Sequence, residues 1–434
     1  MHQTEVDGST FQALQAENKR LRRAVEELSI LNELARDIGA SSRADELMQK
    51  IISRSLRAVH AEQGTITLIE PQADHPMKTL VRSMVSSKRR APFHLEHCIL
   101  GWMHLNKRPL RIDNPQSDVR FQGVHWEETV HSLLCVPLLV KSELVGVLTV
   151  CNKKDEVCFN DDDLRLLTII AGQSAQVLEN ARLYEEEKLL VRMQEEMRLA
   201  SEIQTALLPK SNPQLAGYDI AGISIPAQVV GGDYFDFILI DDHRLAICLG
   251  DVSGKGIAAA LLMANLQATI RGRVAVNPSP TDCLNHANRL LYRSTDPHRF
   301  ATLVYAVLDS RSHQLDYANA GHNRPLLFRP GQEAKVMETA GIALSFVLNY
   351  HFSQDTVILQ PDDLLLIYSD GVSEAMNLKD EEFGEDRLTE FVGQNLTATA
   401  ADLIERIIAE VKRYATGRLQ MDDMTLVIVK RQGE

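Results

Sequence analysis

Residues 246–256 read Ala246-Ile247-Cys248-Leu249-Gly250-Asp251-Val252-Ser253-Gly254-Lys255-Gly256, an apolar, strand-like run that closes on an aspartate and passes at once into a glycine-bearing turn. Three other stretches place Asp beside Gly or a second Asp at the end of an apolar run or at a turn. They are Val229-Val230-Gly231-Gly232-Asp233, Leu365-Leu366-Ile367-Tyr368-Ser369-Asp370-Gly371 and Asp422-Asp423-Met424-Thr425-Leu426-Val427-Ile428-Val429. Taken singly, Asp-Gly is ordinary turn chemistry. Four acidic strand ends within one part of the chain are more than turns require.

Carboxylates projecting from several strand ends can converge on one point. Such a cluster repels itself and raises its own pKa values unless a cation sits among it. Hard oxygen ligands select Mg²⁺ or Mn²⁺. Two such ions about 3.5 to 4 Å apart can activate a water for in-line attack at phosphorus.

Working outward, 434 residues are too many for one ordinary core and imply two or three domains, each fed by the 44% apolar content. A net charge of -13 without a dense Lys/Arg stripe argues against nucleic-acid binding. No apolar run approaches the roughly 18 to 20 residues of a membrane span, and the polar, acidic start at 1–10 does not read as a signal peptide. A cytoplasmic protein without membrane insertion is expected. The six scattered cysteines lack any Cys-x-x-Cys pair and read as reduced thiols.

From Phe11 to Ala35 apolar residues fall on a heptad, with Asn18 and Asn32 at a seam position that favours a parallel two-stranded pairing. The spacing then predicts a helix over Ala44–Val59, a strand over Gly64–Glu70, and a hairpin of Ser132–Val140 and Leu144–Asn152 about the turn Lys141–Glu143. A helix is expected to start near Asp161. It continues into a second heptad stretch, with Leu183, Leu190, Met197 and Gln204 at one seam position and Met193, Ala200 and Leu207 at the other, unbroken until Pro209. The expected organisation is a coiled coil over 1–40, a domain over 41–180, a helical linker over 181–207 and a second domain over 208–434.

Two resemblances sharpen this outline. Arg108-Pro109-Leu110-Arg111-Ile112-Asp113-Asn114, Val136-Pro137-Leu138, Leu144-Val145-Gly146-Val147-Leu148 and the helix through Glu179-Asn180-Ala181-Arg182-Leu183-Tyr184 resemble a GAF domain. Gly231-Gly232-Asp233-Tyr234-Phe235-Asp236, Gly250-Asp251-Val252-Ser253-Gly254-Lys255-Gly256, Asn319-Ala320-Gly321-His322-Asn323, Ser369-Asp370-Gly371-Val372 and Asp422-Asp423-Met424-Thr425 resemble, in order, the motifs of the sporulation-protein-E-like branch of the metal-dependent (PPM, type 2C) serine/threonine phosphatases. The implied fold class is α+β and multidomain. An antiparallel GAF sheet with helices is joined by coiled-coil helices to an αββα sandwich.

The second resemblance also implies two Mn²⁺ or Mg²⁺ ions and hydrolysis of phosphoserine or phosphothreonine in a protein. Asp251 would bridge both metals, the Val252 carbonyl would ligate one, Asp233 would serve one metal directly or through water, and Asp370 and Asp422 would hold the other. Asp236 and Asp423 read as supporting or turn residues. The implied substrate is a phosphorylated anti-anti-sigma (STAS) protein in a partner-switching pathway; apart from that resemblance, the heptads point to a parallel homodimer and the GAF domain to a small-molecule ligand as further expected partners. The helix entering the phosphatase domain, Gln204-Thr205-Ala206-Leu207-Leu208-Pro209, resembles the switching element of that branch.

The chain departs from the wider family in places. Ser253 stands where a general-acid His is usual, and Ala227-Gln228-Val229-Val230 lacks an upstream phosphate-gripping Arg, leaving Lys255 as a candidate donor. His322 reads as a proton donor or a loop brace, the brace being favoured because Gly-His-Asn is a natural turn. Ser345 replaces the usual Gly of its loop. Asn152, Lys153, Phe159 and Asp163 resemble a cyclic-nucleotide GAF pattern, yet the same residues can close the hairpin and cap the next helix, and that structural reading is favoured. Tyr234 tells against a diguanylate cyclase, and no phosphoacceptor helix or ATP lid marks a histidine kinase. The rival reading is a dimeric scaffold whose phosphatase-like domain only binds phosphoproteins.

Overall fold

The computed structural model describes residues 12–15, 17–18, 44–69, 77–83, 97–124, 126, 129–154, 157–296, 298–339 and 341–433. Most of the expected N-terminal coiled coil lies outside them. The chain divides into two compact units, one ending at Val191 and the other beginning at Arg192.

In the first unit, α1 (Ala44–Ala58), β1 (Ala61–Ile69), β2 (Met77–Ser83), α2 (His97–Asn106), β3 (Leu110–Ile112), β4 (Leu133–Val140) and β5 (Glu143–Lys153) precede the long α3 (Asp161–Leu207). The strands form one antiparallel sheet in the order β2-β1-β5-β4-β3. The β4–β5 hairpin turns at Lys141 and Ser142, both at positive φ (49° and 69°), the backbone of a tight hairpin. The strand expected from Gly64 starts three residues earlier because β5 extends far enough to pair Lys153 with Ala61. One sheet face packs on α1 and the start of α3 through Ile52, Leu56, Ile66, Leu148 and Ile170.

Asn152 and Lys153 have structural roles. The Asn152 amide accepts from His131 N and donates to the Thr129 carbonyl, and Lys153 pairs with Asp163. Asn160 and Asp163 exchange backbone hydrogen bonds as a capping box at the start of α3. That helix buries residues only as far as Leu178, and Leu183, Leu190 and Met193 of the expected seam are exposed. Its surface carries i,i+3 and i,i+4 ion pairs such as Arg182 with Glu179 and Glu186. It ends at Leu207, two residues before Pro209.

The second unit contains β6 (Tyr218–Ile225), β7 (Tyr234–Leu239), β8 (Arg244–Val252), α4 (Ile257–Val274), α5 (Pro280–Ser294), β9 (Ala301–Asp309), β10 (Gln314–Ala320), β11 (Leu326–Phe328) and β12 (Lys335–Val336). After them come β13 (Asp355–Ile358), β14 (Leu364–Tyr368), the single turn α6 (Asp370–Ser373), α7 (Glu385–Gly393), α8 (Ala400–Tyr414) and β15 (Met424–Arg431). Two antiparallel sheets result, β13-β10-β9-β8-β7 and β12-β11-β14-β15-β6. Alternating residues of both sheets, among them Ile247, Leu249, Leu365, Ile367 and Val427, interleave in a central core. The outer face of the first sheet is covered by α4 and α5, and that of the second by α7 and α8. This is the expected αββα sandwich.

Candidate active site

The four aspartates singled out in the sequence stand at one end of the sandwich. Antiparallel pairing of β7 with β8 sets Tyr234 opposite Gly250, so Asp233 enters β7 beside the place where Asp251 leaves β8. Pairing of β14 with β15 sets Tyr368 opposite Leu426, which brings Asp370 and Asp422 to the same end of the other sheet. The Val252 carbonyl joins them: a Cβ on Gly232 would lie 2.8 Å from it and 3.0 Å from Asp251 Oδ1. Glycine at 232 leaves that oxygen cradle open.

The electrostatics report crowding. Asp251 is pushed up to about 7, first by burial and then by repulsion from Asp370, Asp422 and Asp423. Asp233, 4% exposed, is raised well above the ordinary carboxylate range by burial and by Asp251. Its Oδ2 is buried without a hydrogen-bond partner. Asp370 is raised by burial and by Asp422. Three acids held against their preference for ionisation, an orphaned carboxylate oxygen and an open cradle form an all-oxygen donor set that suits a hard divalent cation. Among the described residues no three acidic, His or Cys side chains are already drawn together to ligand spacing. Asp422 instead pairs with Lys255, whose ammonium lies 3.1 Å away and also donates to the Met421 carbonyl.

Asp423 and Asp236 are built into the frame. Asp423 accepts from the backbone N–H of Ala227 (2.7 Å), Gly232 (2.7 Å) and Asp233 (3.3 Å), fastening the β6–β7 loop. Its own carbonyl accepts from Ser369 Oγ, one residue before Asp370. Asp236 is fully buried, receives a two-pronged contact from Arg271 of α4 (2.6 and 2.9 Å) and accepts from the Tyr234 hydroxyl. Ser253 also braces: its Oγ accepts from Phe300 N while its own N–H donates to the Phe300 carbonyl. Ser345 adopts φ 74°, the left-handed conformation that explains a glycine preference there, and is held by Asn288 and Thr295.

Sequence reasoning assigned no role to Thr302 or Arg271, and it did not find the contact that Gln204 makes. Gln204 Nε2 donates to the Gly231 carbonyl (2.7 Å) and its Oε1 accepts from Gly231 N (3.0 Å), so the end of α3 grips the loop that carries Asp233. Gln204 was visible as a seam position and as the start of the entering segment, but pairing between an amide and a backbone 27 residues away leaves no local pattern.

An αββα sandwich with carboxylates gathered at one end of both sheets is the architecture of PP2C-type phosphatase domains. Residues 241–432 match the family Stage II sporulation protein E (SpoIIE), a range containing Asp251, Asp370 and Asp422, and residues 41–179 match the GAF domain. The chain therefore joins a GAF domain to a PP2C-type phosphatase domain of the SpoIIE family.

Among curated proteins it is 28% identical over 254 residues to phosphoserine phosphatase RsbU of Bacillus subtilis, covering 57% of this chain and 75% of that protein. It is 29% identical over 263 residues to protein IcfG of Synechocystis, covering 54% of this chain but only 41% of that protein. The SiaA PP2C domain of Pseudomonas aeruginosa shares the fold, with a TM-score of 0.50 at 21% identity, covering 56% of this chain and 98% of that one.

Proposed function

We propose that this protein is a metal-dependent serine/threonine protein phosphatase controlled by its GAF domain. The observation that carries this reading is the gathering of Asp233, Asp251, Asp370 and Asp422 at one end of both sheets, where burial and repulsion hold Asp251 at about 7. Asp251 would bridge two cations, with the Val252 carbonyl and Asp233 on one side and Asp370 and Asp422 on the other. Mg²⁺ or Mn²⁺ bound there would neutralise phosphoryl oxygens and activate the attacking water. The chain's own residues hold that site: Asp423 fixes the Asp233 loop, Ser253 pins the turn after Asp251, and Lys255 offsets the charge of Asp422.

The substrate we assign is a phosphorylated anti-anti-sigma protein of the STAS type in partner switching. The phosphoserine phosphatase RsbU, similar over most of its length, supports a phosphoserine substrate. We place the protein in the cytoplasm as a parallel homodimer, paired through the N-terminal heptads and the exposed seam of α3. No helix among the described residues is long and apolar enough to cross a membrane.

The GAF domain takes a small-molecule ligand in this reading. Gln63, Thr65 and Thr149 are buried on one face of its sheet, and Thr65 Oγ1 and Trp126 Nε1 are buried without hydrogen-bond partners. Buried hydroxyls and indole N–H groups ordinarily find an acceptor or donor.

The direct test is Mn²⁺-dependent phosphate release from a serine-phosphorylated STAS protein, with Asp370→Ala as the control. Metal-dependent release that is lost in the variant is expected. No release with several substrates and metals would favour a phosphoprotein-binding scaffold. Regulation is tested separately by inserting a flexible Gly/Ser linker near Met193. Basal rate or ligand response should change, and if both survive unaltered, the continuous helix does not transmit the signal.

A further inference from the structure

His322 sits where the chain crosses from one sheet to the other, between the end of β10 and β11. Its surroundings are polar and closed. Its Nδ1 lies 2.8 Å from Thr302 Oγ1, and that hydroxyl accepts from the backbone N–H of Asp251 at 3.3 Å. Thr302 is the direct cross-strand neighbour of Asp251 in the β8–β9 ladder. On its other edge Nε2 is buried without a hydrogen-bond partner, and the Tyr368 backbone, two residues before Asp370, acts on the ring.

The backbone around the ring is held independently. Asn319 accepts from His322 N (2.8 Å) and donates to the His322 carbonyl (3.0 Å). Gly321, at φ 69°, passes so close to Ala343 that a Cβ would stand 2.7 Å from its nitrogen. Asn319 and Gly321 thus shape the loop, leaving the imidazole edges for Thr302 and Tyr368.

The Thr302 hydroxyl lies 2.8 Å from Nδ1 and 3.4 Å from the Asp251 carbonyl; giving its proton to the nearer acceptor puts the lone pair at Nδ1 and the N–H at Nε2. The hydrogen-bond direction then runs from Asp251 N–H to Thr302 and from the Thr302 hydroxyl to Nδ1, with Nε2–H left for the Tyr368 backbone. We infer that His322 is a positioning residue, a neutral imidazole that ties the strand of Asp251 to the strand leading to Asp370 and so sets the distance between carboxylates of opposite sheets. This rests on the metal-site reading above. Burial pushes the ring down to about 4, which agrees with a neutral spacer and not with a proton donor at neutral pH.

The test uses the full chain and reads divalent-cation affinity directly, by calorimetric titration with Mn²⁺ and no substrate. Loss of a group that orients metal ligands costs about 10- to 100-fold in affinity. His322→Phe, which keeps bulk and loses both polar edges, should weaken Mn²⁺ binding by about tenfold or more. Thr302→Val should do the same from the other end of the chain, and the double variant should be little worse than either single one. His322→Asn returns an acceptor near Nδ1 and should recover part of the affinity.

At saturating Mn²⁺ the pH profile of turnover should keep both of its limbs, whereas loss of a proton donor would remove one of them. Thermal unfolding identifies a variant that has not folded, and Thr302→Val then carries the test. Unchanged Mn²⁺ affinity in folded His322→Phe or Thr302→Val overturns the inference while leaving the metal site standing. A wild-type chain that binds no divalent cation overturns both.

Discussion

Asp251→Asn should reduce phosphate release by about a thousandfold and, in the same molecule, make the chelator-treated protein more stable at pH 8. The first effect follows from removing the carboxylate that the proposed metal site depends on most, a loss of the size seen when a principal electrostatic group is deleted from an active site. The second follows from linkage. The carboxyl of Asp251 titrates near 7 in the fold against an ordinary value of 3.8, so between these limits the folded chain holds a proton that the unfolded chain has released. Without metal the wild-type fold therefore loses stability as pH rises from about 4 through about 7, by an amount on the order of a few kcal/mol.

Asparagine has no such proton to lose. The melting temperatures of metal-free wild type and Asp251→Asn should lie close together near pH 4 and separate by pH 8, with the variant higher. Added Mn²⁺ should raise only the wild type appreciably. Equal melting temperatures at pH 8 would mean that the carboxylates do not strain the fold.

Asp423→Asn should be the most damaging change to the frame. One carboxylate oxygen serves Ala227 N and the other serves Gly232 N and Asp233 N. An amide turns an NH₂ toward one of these donor sets, leaving buried N–H groups unpaired. The expected cost is about 3 kcal/mol, a fall in melting temperature of about 6 to 12 °C for a domain of this size. Activity should fall with it because the loop carrying Asp233 is released. Gly231→Ala should mimic this, since its Cβ would overlap Asp423 Oδ2. A folded Asp423→Asn protein with wild-type melting and wild-type phosphate release would show that the loop is held by other means.

Much of this was legible in the chain. The β4–β5 hairpin, the start of α3 at Asp161 and its end before Pro209 follow from alternation, capping and proline, all of which act within a few residues. The four aspartates announced themselves because each sits beside Gly or Asp at an end of an apolar run or at a turn, a local pattern repeated along the strands. Ser345 was noticed as a departure, and its positive φ supplies the reason.

Other features had no local signal. Family resemblance separated Asp422 from Asp423, but the three backbone N–H groups that Asp423 holds and the Lys255 that Asp422 meets cannot be read from two adjacent identical residues. Those contacts depend on which side of β15 meets a loop almost 200 residues earlier in the chain. The role of His322 likewise depends on Thr302 and Tyr368, brought beside it by the packing of two separate sheets. Short-range chemistry, turn geometry and hydrophobic period thus specified the elements and the acidic donors. The pKa of Asp251, the pairing of Gln204 with Gly231 and the contacts through which Asp423 and Asp236 brace the site were decided by tertiary structure, because burial and through-space repulsion exist only once distant strands share one end of a sandwich.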